Sequence, residues 1–435
     1  MALRGVITVP GDKSITHRAI ILSALAEGES LLSNYCPGQD CLHTAQALQA
    51  MGVSIDIAPD QMRVTGQGLH SLREPDSLLD CGNSGTGIRL LAGVLAGQDF
   101  FSVLTGDESI RRRPMGRVTG PLRAMGAQIA GRRGGDLAPL ALTGSRLRGI
   151  PYCSPIASAQ VKSSILLAGL FADGATSVTE PALSRDHTER LFEYLGIPVT
   201  RQGLTVHLTG ARSLTGHHAF AAKDIAIAGD LSAAAFFLVG ASLVPDSDVT
   251  ITGVGVNPTR TGIVEVLREM GARIDRVNSR MQAGEPVADL RVRSASLRGI
   301  TIGADRIPQT IDEFPVLCVA AACAQGETVI AGASELRVKE SDRIATMAME
   351  LRRMGAELDE RPDGMRIVGG RPLRGAICQS HGDHRVAMAL RIAGLVASGE
   401  TTVEDTDCVA TSFPNFAQTL RGLVTPESLT PLGHT

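Results

Sequence analysis

The feature that most limits how this chain can fold is an internal repeat. A helix end running into a strand recurs as Leu48-Gln49-Ala50-Met51-Gly52-Val53, Leu122-Arg123-Ala124-Met125-Gly126-Ala127 and Phe192-Glu193-Tyr194-Leu195-Gly196-Ile197. It returns as Leu267-Arg268-Glu269-Met270-Gly271-Ala272 and Leu351-Arg352-Arg353-Met354-Gly355-Ala356, with a weaker sixth copy at Thr419-Leu420-Arg421-Gly422-Leu423. Glycine at this point suits the left-handed residue that stops a helix. An apolar helix, small residues, a turn and a β-branched run recur earlier in each copy, at Ile20–Gly28, Ile88–Gly97, Ile165–Gly174, Ala233–Val244, Val316–Gly326 and Val386–Gly399. A strand closing on glycine follows, as in Val64-Thr65-Gly66, Leu142-Thr143-Gly144, Leu208-Thr209-Gly210 and Ile367-Val368-Gly369; the fourth copy departs, with Val292-Arg293-Ser294.

The period is about 70–80 residues, too long for a simple solenoid repeat and long enough for each copy to carry a share of a core. Each copy reads as strand–helix–strand–helix–strand–strand. The sixth lacks its closing strand pair, and the N-terminal strand Gly5–Val9 is left over, so that strand is expected to complete the C-terminal half. Three copies form one expected domain, residues 11–227; three more, residues 228–435 with 1–10, form the other. The chain then crosses between them near Pro10-Gly11 and near Ala228-Gly229, which suits a hinge over a cleft.

Each copy places a polar segment ahead of its first helix: Asp12-Lys13-Ser14, Asn83-Ser84-Gly85-Thr86-Gly87, Ser158-Ala159-Gln160-Val161-Lys162, Gly229-Asp230-Leu231-Ser232, Thr310-Ile311-Asp312-Glu313 and Gly382-Asp383-His384-Arg385. One such segment is a routine cap. Six in register, several carrying charge a cap does not need, point to a shared role. Helix N-termini favour anions. The heads of the first and second helices supply Lys13, Arg18, Arg89, Arg113, Lys162, Arg185, Lys339, Arg343 and Arg385, with few carboxylates, chiefly Asp312, Glu313 and Glu340. The i, i+4 spacing places Lys339 and Arg343 on one helix face. Substrates bearing several negative charges are therefore expected, with the carboxylates and Lys13 doing the proton work. His384 is expected to orient Arg385 rather than act as a base, and His17 to be structural.

Composition excludes other classes. The net charge is −3, aromatics make up 3% and there is no Trp, so no global basic field or stacking platform suggests nucleic acid. The eight cysteines form no CxxC and no zinc spacing, and are read as reduced thiols of a cytoplasmic protein. No signal peptide is expected, and no apolar stretch reaches the roughly 20 residues that span a bilayer. There is no Walker A motif, no GxGxxG after a strand and no GxSxG elbow. No metal or organic cofactor is expected.

The combination Asp12-Lys13-Ser14-x3-Arg18, Asn83-x-Gly85-Thr86, Arg113-Pro114, Ser158-x-Gln160, Asp312, Lys339-Glu340-x-Asp342-Arg343 and Asp383-His384-Arg385 resembles the 5-enolpyruvylshikimate-3-phosphate (EPSP) synthase family, the 3-phosphoshikimate 1-carboxyvinyltransferases, over essentially the whole chain. Ser158-Ala159-Gln160-Val161-Lys162, Arg185-x-His187-x-Glu189 and Asn257-Pro258-Thr259-Arg260 resemble its second bacterial class. The resemblance implies two inside-out α/β domains, each of three βαβαββ units, with an interdomain cleft. It implies transfer of the enolpyruvyl group of phosphoenolpyruvate to the 5-hydroxyl of shikimate 3-phosphate, through a tetrahedral intermediate, in a cytoplasmic monomer with neither nucleic-acid nor membrane partner. Shikimate 3-phosphate would be held by Lys13, Ser14, Arg18, Ser158, Ala159, Gln160, Arg185, Asp312 and Lys339. Phosphoenolpyruvate would be held by Lys13, Asn83, Gly85, Arg113, Gln160, Arg343 and Arg385. Asp312, Glu340 and Lys13 would be catalytic.

Two departures stand out. Many relatives carry a Lys before a Phe-Pro near the C-terminus, where this chain has Ala410-Thr411-Ser412-Phe413-Pro414. Members noted for glyphosate tolerance often carry Ala where this chain has Gly85. The rival readings are a UDP-N-acetylglucosamine enolpyruvyl transferase, which would place a Cys within 107–117 where this chain has none, and a non-catalytic anion-binding protein. A nucleic-acid-end enzyme built from related units is disfavoured by the charge and the scarce aromatics.

Overall fold

A computed structural model describes residues 1–209 and 220–425. Gly210, the closing glycine of the third copy, lies outside the described residues, as does the C-terminal stretch of the last copy beyond 425. The chain separates into two compact units, one of Pro10–Ala228 with Met281–Pro286, the other of Met1–Val9, Gly229–Arg280 and Val287–Thr435. Both are α/β.

The unit containing residues 10–228 holds three four-stranded sheets of one topology. In the second, Leu79–Asp80 runs parallel to Phe101–Thr105, which pairs antiparallel with Leu137–Thr143, which pairs antiparallel with Gln128–Gly131. The third repeats this with Pro151–Cys153, Ala175–Thr179, Thr205–Thr209 and Val199–Gln202. In the first sheet the parallel edge strand comes from the far end of the unit: Ile225–Ala226 pairs with Glu27–Ser33. The Asp12 N–H donates to the Ala228 carbonyl at 2.7 Å, so the unit closes on itself where its chain enters and leaves.

In the other unit, Thr301–Ile302, Glu327–Ile330, Gly364–Val368 and Glu357–Arg361 form the same four-stranded pattern. The N-terminal strand Ala2–Thr8 lies parallel to Asp248–Gly255 and antiparallel to Val424–Thr425. Among the described residues the sixth copy has the parallel pair Ile377–Gln379 with Thr402–Glu404, and its last strand, Val424–Thr425, joins the N-terminal strand instead.

The first helix of each copy is apolar nearly all round, so it must be buried on all sides. In Leu231–Leu243 every residue but the last is buried. It packs with Phe314–Cys323 and His384–Gly394 at the centre of one core. Gly85–Leu95 lies against Ala159–Gly169 in the other unit, so closely that a Cβ on Gly93 would meet the Ser164 carbonyl oxygen at 2.2 Å. The second helices are amphipathic. His187–Leu195 stops at Gly196 with φ +83°, and Gly52, Gly126, Gly271 and Gly355 all take positive φ at the same place. The sixth copy differs: Gly422 lies inside the helix Phe416–Leu423, which continues directly into a strand and leaves no left-handed stop. All eight cysteines are free thiols. Among the described residues no helix is long and apolar enough to cross a membrane.

Candidate functional site

Five of the six first-helix heads are closed by their own side chains. Asp12 accepts from the Ile15 N–H at 3.0 Å, Ser84 from Gly87 at 2.9 Å and Ser158 from Val161 at 3.4 Å. Asp230 accepts from Ser232 at 2.8 Å and Asp383 from Arg385 at 2.9 Å. The fifth head instead tightens into a 3-10 turn, Ile311–Glu313, before Phe314–Cys323. Capping therefore occupies the same segments in which the sequence leads one to expect substrate-binding groups.

In the unit of residues 10–228, Lys13 opens the helix Lys13–Leu25 and its Nζ lies 2.9 Å from Asp40 Oδ2, in the first turn of Gln39–Ala50. Arg18 is buried on the same helix. Its Nε donates to Thr188 at 2.7 Å, one Nη to Ser163 at 2.6 Å and the other to the Ser14 carbonyl at 2.8 Å. Burial pushes this guanidinium down to about 10, with Glu189 and Asp12 opposing.

His17, fully buried between Lys13 and Arg18, joins three helices. Its Nδ1 pairs with Thr44 Oγ1 at 2.8 Å and its Nε2 with Ser84 Oγ at 3.2 Å. Burial first, then the charges of Lys13 and Arg18, push its imidazole down to about 3. His17 thus stays neutral and holds the head that carries Asn83 and Gly85.

Gln160 reaches across to that same helix. Its Nε2 donates to Thr86 Oγ1 at 2.9 Å and its Oε1 accepts from Arg89 at 2.7 Å. Asn83 donates to Asp107 at 2.7 Å. Arg113 ends the short helix Glu108–Arg112 and donates to Ser109 at 3.2 Å; Pro114 and Met115 separate it from Gly116–Ala124. Arg113 and Arg89 converge on Gly85, where an added Cβ would stand 2.8 Å from Arg113 Nη1 and 2.9 Å from Arg89 Nη1. Lys162, expected at the anion-binding heads, is instead buried between Glu180 and Glu189, 2.8 Å from each.

In the other unit Arg343 is the hub. It is 1% exposed, donates to Asp383 at 2.8 Å and to Glu340 at 2.7 Å, and lies 3.7 Å from Asp312. Burial works against its charge, but Asp383, Glu340 and Asp312 outweigh it and hold the guanidinium above its usual range. Asp383 is in turn held below the usual carboxylate range despite burial, mainly by Arg343. Arg385 donates to the Asp312 carbonyl at 3.1 Å and approaches its carboxylate at 3.9 Å. His384 is buried beside it.

Lys339 and Arg343 do not share a helix face. Asp342 accepts from the Ala345 N–H at 3.0 Å and starts the helix Arg343–Arg353 only at Arg343. Lys339 precedes it in extended backbone after the 3-10 helix Ser334–Val338, with its Nζ 3.5 Å from Glu335. Thr411 and Ser412 close another 3-10 helix, anchored by Phe413, whose ring is 6.0 Å from that of Phe237.

A family model, EPSP synthase (3-phosphoshikimate 1-carboxyvinyltransferase), matches residues 1–420. The protein named 3-phosphoshikimate 1-carboxyvinyltransferase from Geotalea uraniireducens is 54% identical over 425 residues, 98% of each chain. That of Pelotomaculum thermopropionicum is 55% identical over 421 residues, 96% of each chain. The chain belongs to the EPSP synthase family. A solved EPSP synthase from Acinetobacter baumannii superposes with a TM-score of 0.86 at 46% identity, covering 97% of this chain and 96% of that one.

For an EPSP synthase family member, the sequence patterns found the basic side chains and missed most of the acidic partners. Asp40, Glu180 and Glu350 belong to no recurring pattern. Glu350 is fully buried on the helix Arg343–Arg353 and accepts from the Gln379 N–H at 3.1 Å and from His381 Nε2 at 2.9 Å, fixing the turn before Asp383. Only an apolar helix position occupied by a carboxylate could have signalled it.

Proposed function

We propose that this protein transfers the enolpyruvyl group of phosphoenolpyruvate to the 5-hydroxyl of shikimate 3-phosphate and releases phosphate. The observation that carries this reading is Arg343, which fixes Glu340 and Asp312 together beside Arg385. An anion-binding module gains nothing from carboxylates among its cations. A group that moves protons while arginines hold phosphate and carboxylate needs both.

In the addition step, O5 of shikimate 3-phosphate bonds to C2 of phosphoenolpyruvate. Asp312 takes the O5 proton, and the C3 methylene gains a proton to become a methyl group. In the elimination step the C2–O bond to phosphate breaks, C3 gives up a proton and the enol ether forms. Glu340 and Lys13 serve the C3 and phosphate protons. Lys13, Ser14, Arg18, Ser158, Ala159, Gln160, Arg185, Asp312 and Lys339 hold shikimate 3-phosphate. Lys13, Asn83, Gly85, Arg113, Gln160, Arg343 and Arg385 hold phosphoenolpyruvate. Positioning and fixed charge supply most of the acceleration. The Ser158–Lys162 and Arg185–Glu189 patterns support the second bacterial class. We assign the protein to the cytoplasm as a monomer of two three-unit domains, 11–227 and 1–10 with 228–435.

The test offers the purified protein phosphoenolpyruvate with either shikimate 3-phosphate or UDP-N-acetylglucosamine and follows phosphate. Release with the first acceptor alone is expected; release with the second alone overturns the reading.

A further inference from the structure

The third copy holds a buried charge network that the reaction does not use directly. Glu180 follows the strand Ala175–Thr179 and is 4% exposed. One of its oxygens accepts the Ser158 N–H at 3.0 Å; the other accepts the Ser184 hydroxyl at 2.8 Å and lies 2.8 Å from Lys162 Nζ. Lys162, 1% exposed, makes its second ion pair with Glu189 at 2.8 Å. Beyond Ser184 and Arg185 comes Asp186, gripped by Arg190 and Arg201 at 3.0 Å each.

We infer that Glu180 is a positioning residue for shikimate 3-phosphate: it clamps the Ser158 head and the Ser184–Asp186 segment in one register, so that Ser158 and Arg185 present their donors together. This rests on the assignment of Ser158 and Arg185 to that substrate. Arg185 is a long side chain mounted between two fixed neighbours, Ser184 held by Glu180 and Asp186 held by two arginines. Ser158 is fixed from the same carboxylate through its backbone, and the helix it caps carries Lys162, which returns to Glu180. Within this cluster Lys162 pairs with Glu180 and Glu189, and Asp186 with Arg190 and Arg201, so the segments are held by direct contacts on both sides of Arg185.

Both Glu180 oxygens are acceptors for three donors. In Glu180→Gln one oxygen becomes an amide NH2, which faces the Ser158 N–H on one side or Ser184 and Lys162 on the other, donor against donor. One of the two segments must then shift.

The experiment compares steady-state kinetics of the parent, Glu180→Gln and Ser184→Ala, varying each substrate with the other saturating. Glu180→Gln is expected to raise KM for shikimate 3-phosphate about tenfold and KM for phosphoenolpyruvate by a clearly smaller factor, through Gln160 on the helix that Ser158 caps, with kcat within about twofold. Ser184→Ala, which removes one contact and leaves Glu180 paired with Lys162, is expected to raise the same KM by a smaller factor; it keeps the inference testable should Glu180→Gln not fold. In a double-mutant cycle with Arg185→Ala, the effects of Glu180→Gln and Arg185→Ala on that KM should be less than additive. Unchanged KM for shikimate 3-phosphate, equal increases in both KM values, or strict additivity would overturn the inference. A parent enzyme that does not turn over shikimate 3-phosphate defeats the functional reading instead, which separates the two failures.

Discussion

His17 makes the unit of residues 10–228 sensitive to acid. Its imidazole is fully buried, accepts or donates at both nitrogens, and is pushed from the ordinary 6.5 down to about 3. A group whose folded value lies below its unfolded value binds more protons when unfolded. Its contribution is therefore complete at neutral pH, is lost as pH falls below about 6.5, and stops changing below about 3. Between pH 8 and pH 5 the linkage amounts to about 2 kcal/mol, on the order of a fifth of a domain's stability. The three tyrosines, Tyr35, Tyr152 and Tyr194, all fall in this unit and there is no Trp, so tyrosine fluorescence in urea reports its unfolding. The comparison is the parent with His17→Gln, which cannot titrate. The stability difference between them should shift by about 2 kcal/mol in favour of the variant from pH 8 to pH 5. A difference independent of pH would refute the buried, neutral imidazole.

Gly85→Ala should raise KM for phosphoenolpyruvate and weaken glyphosate inhibition, because the new Cβ displaces the Arg113 and Arg89 guanidiniums that stand 2.8 and 2.9 Å from its position; inhibition as strong as in the parent would contradict this. Asp383→Asn leaves a fully buried Arg343 without one of its carboxylates and should cost about 3 kcal/mol of stability by chemical denaturation; a loss below about 1 kcal/mol would show that Glu340 and Asp312 suffice. Asp312→Ala and Lys13→Met should keep the parent's circular dichroism spectrum yet lose most turnover, and retained turnover in either would remove that residue from the chemistry.

Local features were legible in the sequence and long-range partners were not. Gly52, Gly126, Gly196, Gly271 and Gly355 announced their helix ends because a left-handed stop depends on one residue's backbone. Asp12, Ser84, Ser158, Asp230 and Asp383 announced their helix starts because a cap bonds two or three residues ahead. Gly422 misled, since a helix running straight into a strand needs no left-handed residue. The Lys339–Arg343 spacing misled as well, because Asp342 caps between them and moves the helix start past Lys339. Lys162 looked like a ligand for an external anion, but its partners Glu180 and Glu189 lie outside any local pattern. Arg18 likewise draws its hydrogen-bond partners Ser163 and Thr188 from up to 170 residues away, where no local pattern reaches. The same holds for Asp383 and Arg343, 40 residues apart in sequence yet 2.8 Å apart in the fold.

Enolpyruvyl transfer is seen without ambiguity when both products are followed as they form. The protein is mixed with phosphoenolpyruvate and shikimate 3-phosphate and followed by phosphorus and proton NMR. Inorganic phosphate and an enol ether bearing the retained 3-phosphate should appear in equal amounts, and neither should appear when either substrate is left out. Phosphate released without the enol ether, or with shikimate 3-phosphate unconsumed, would rule out enolpyruvyl transfer to the 5-hydroxyl.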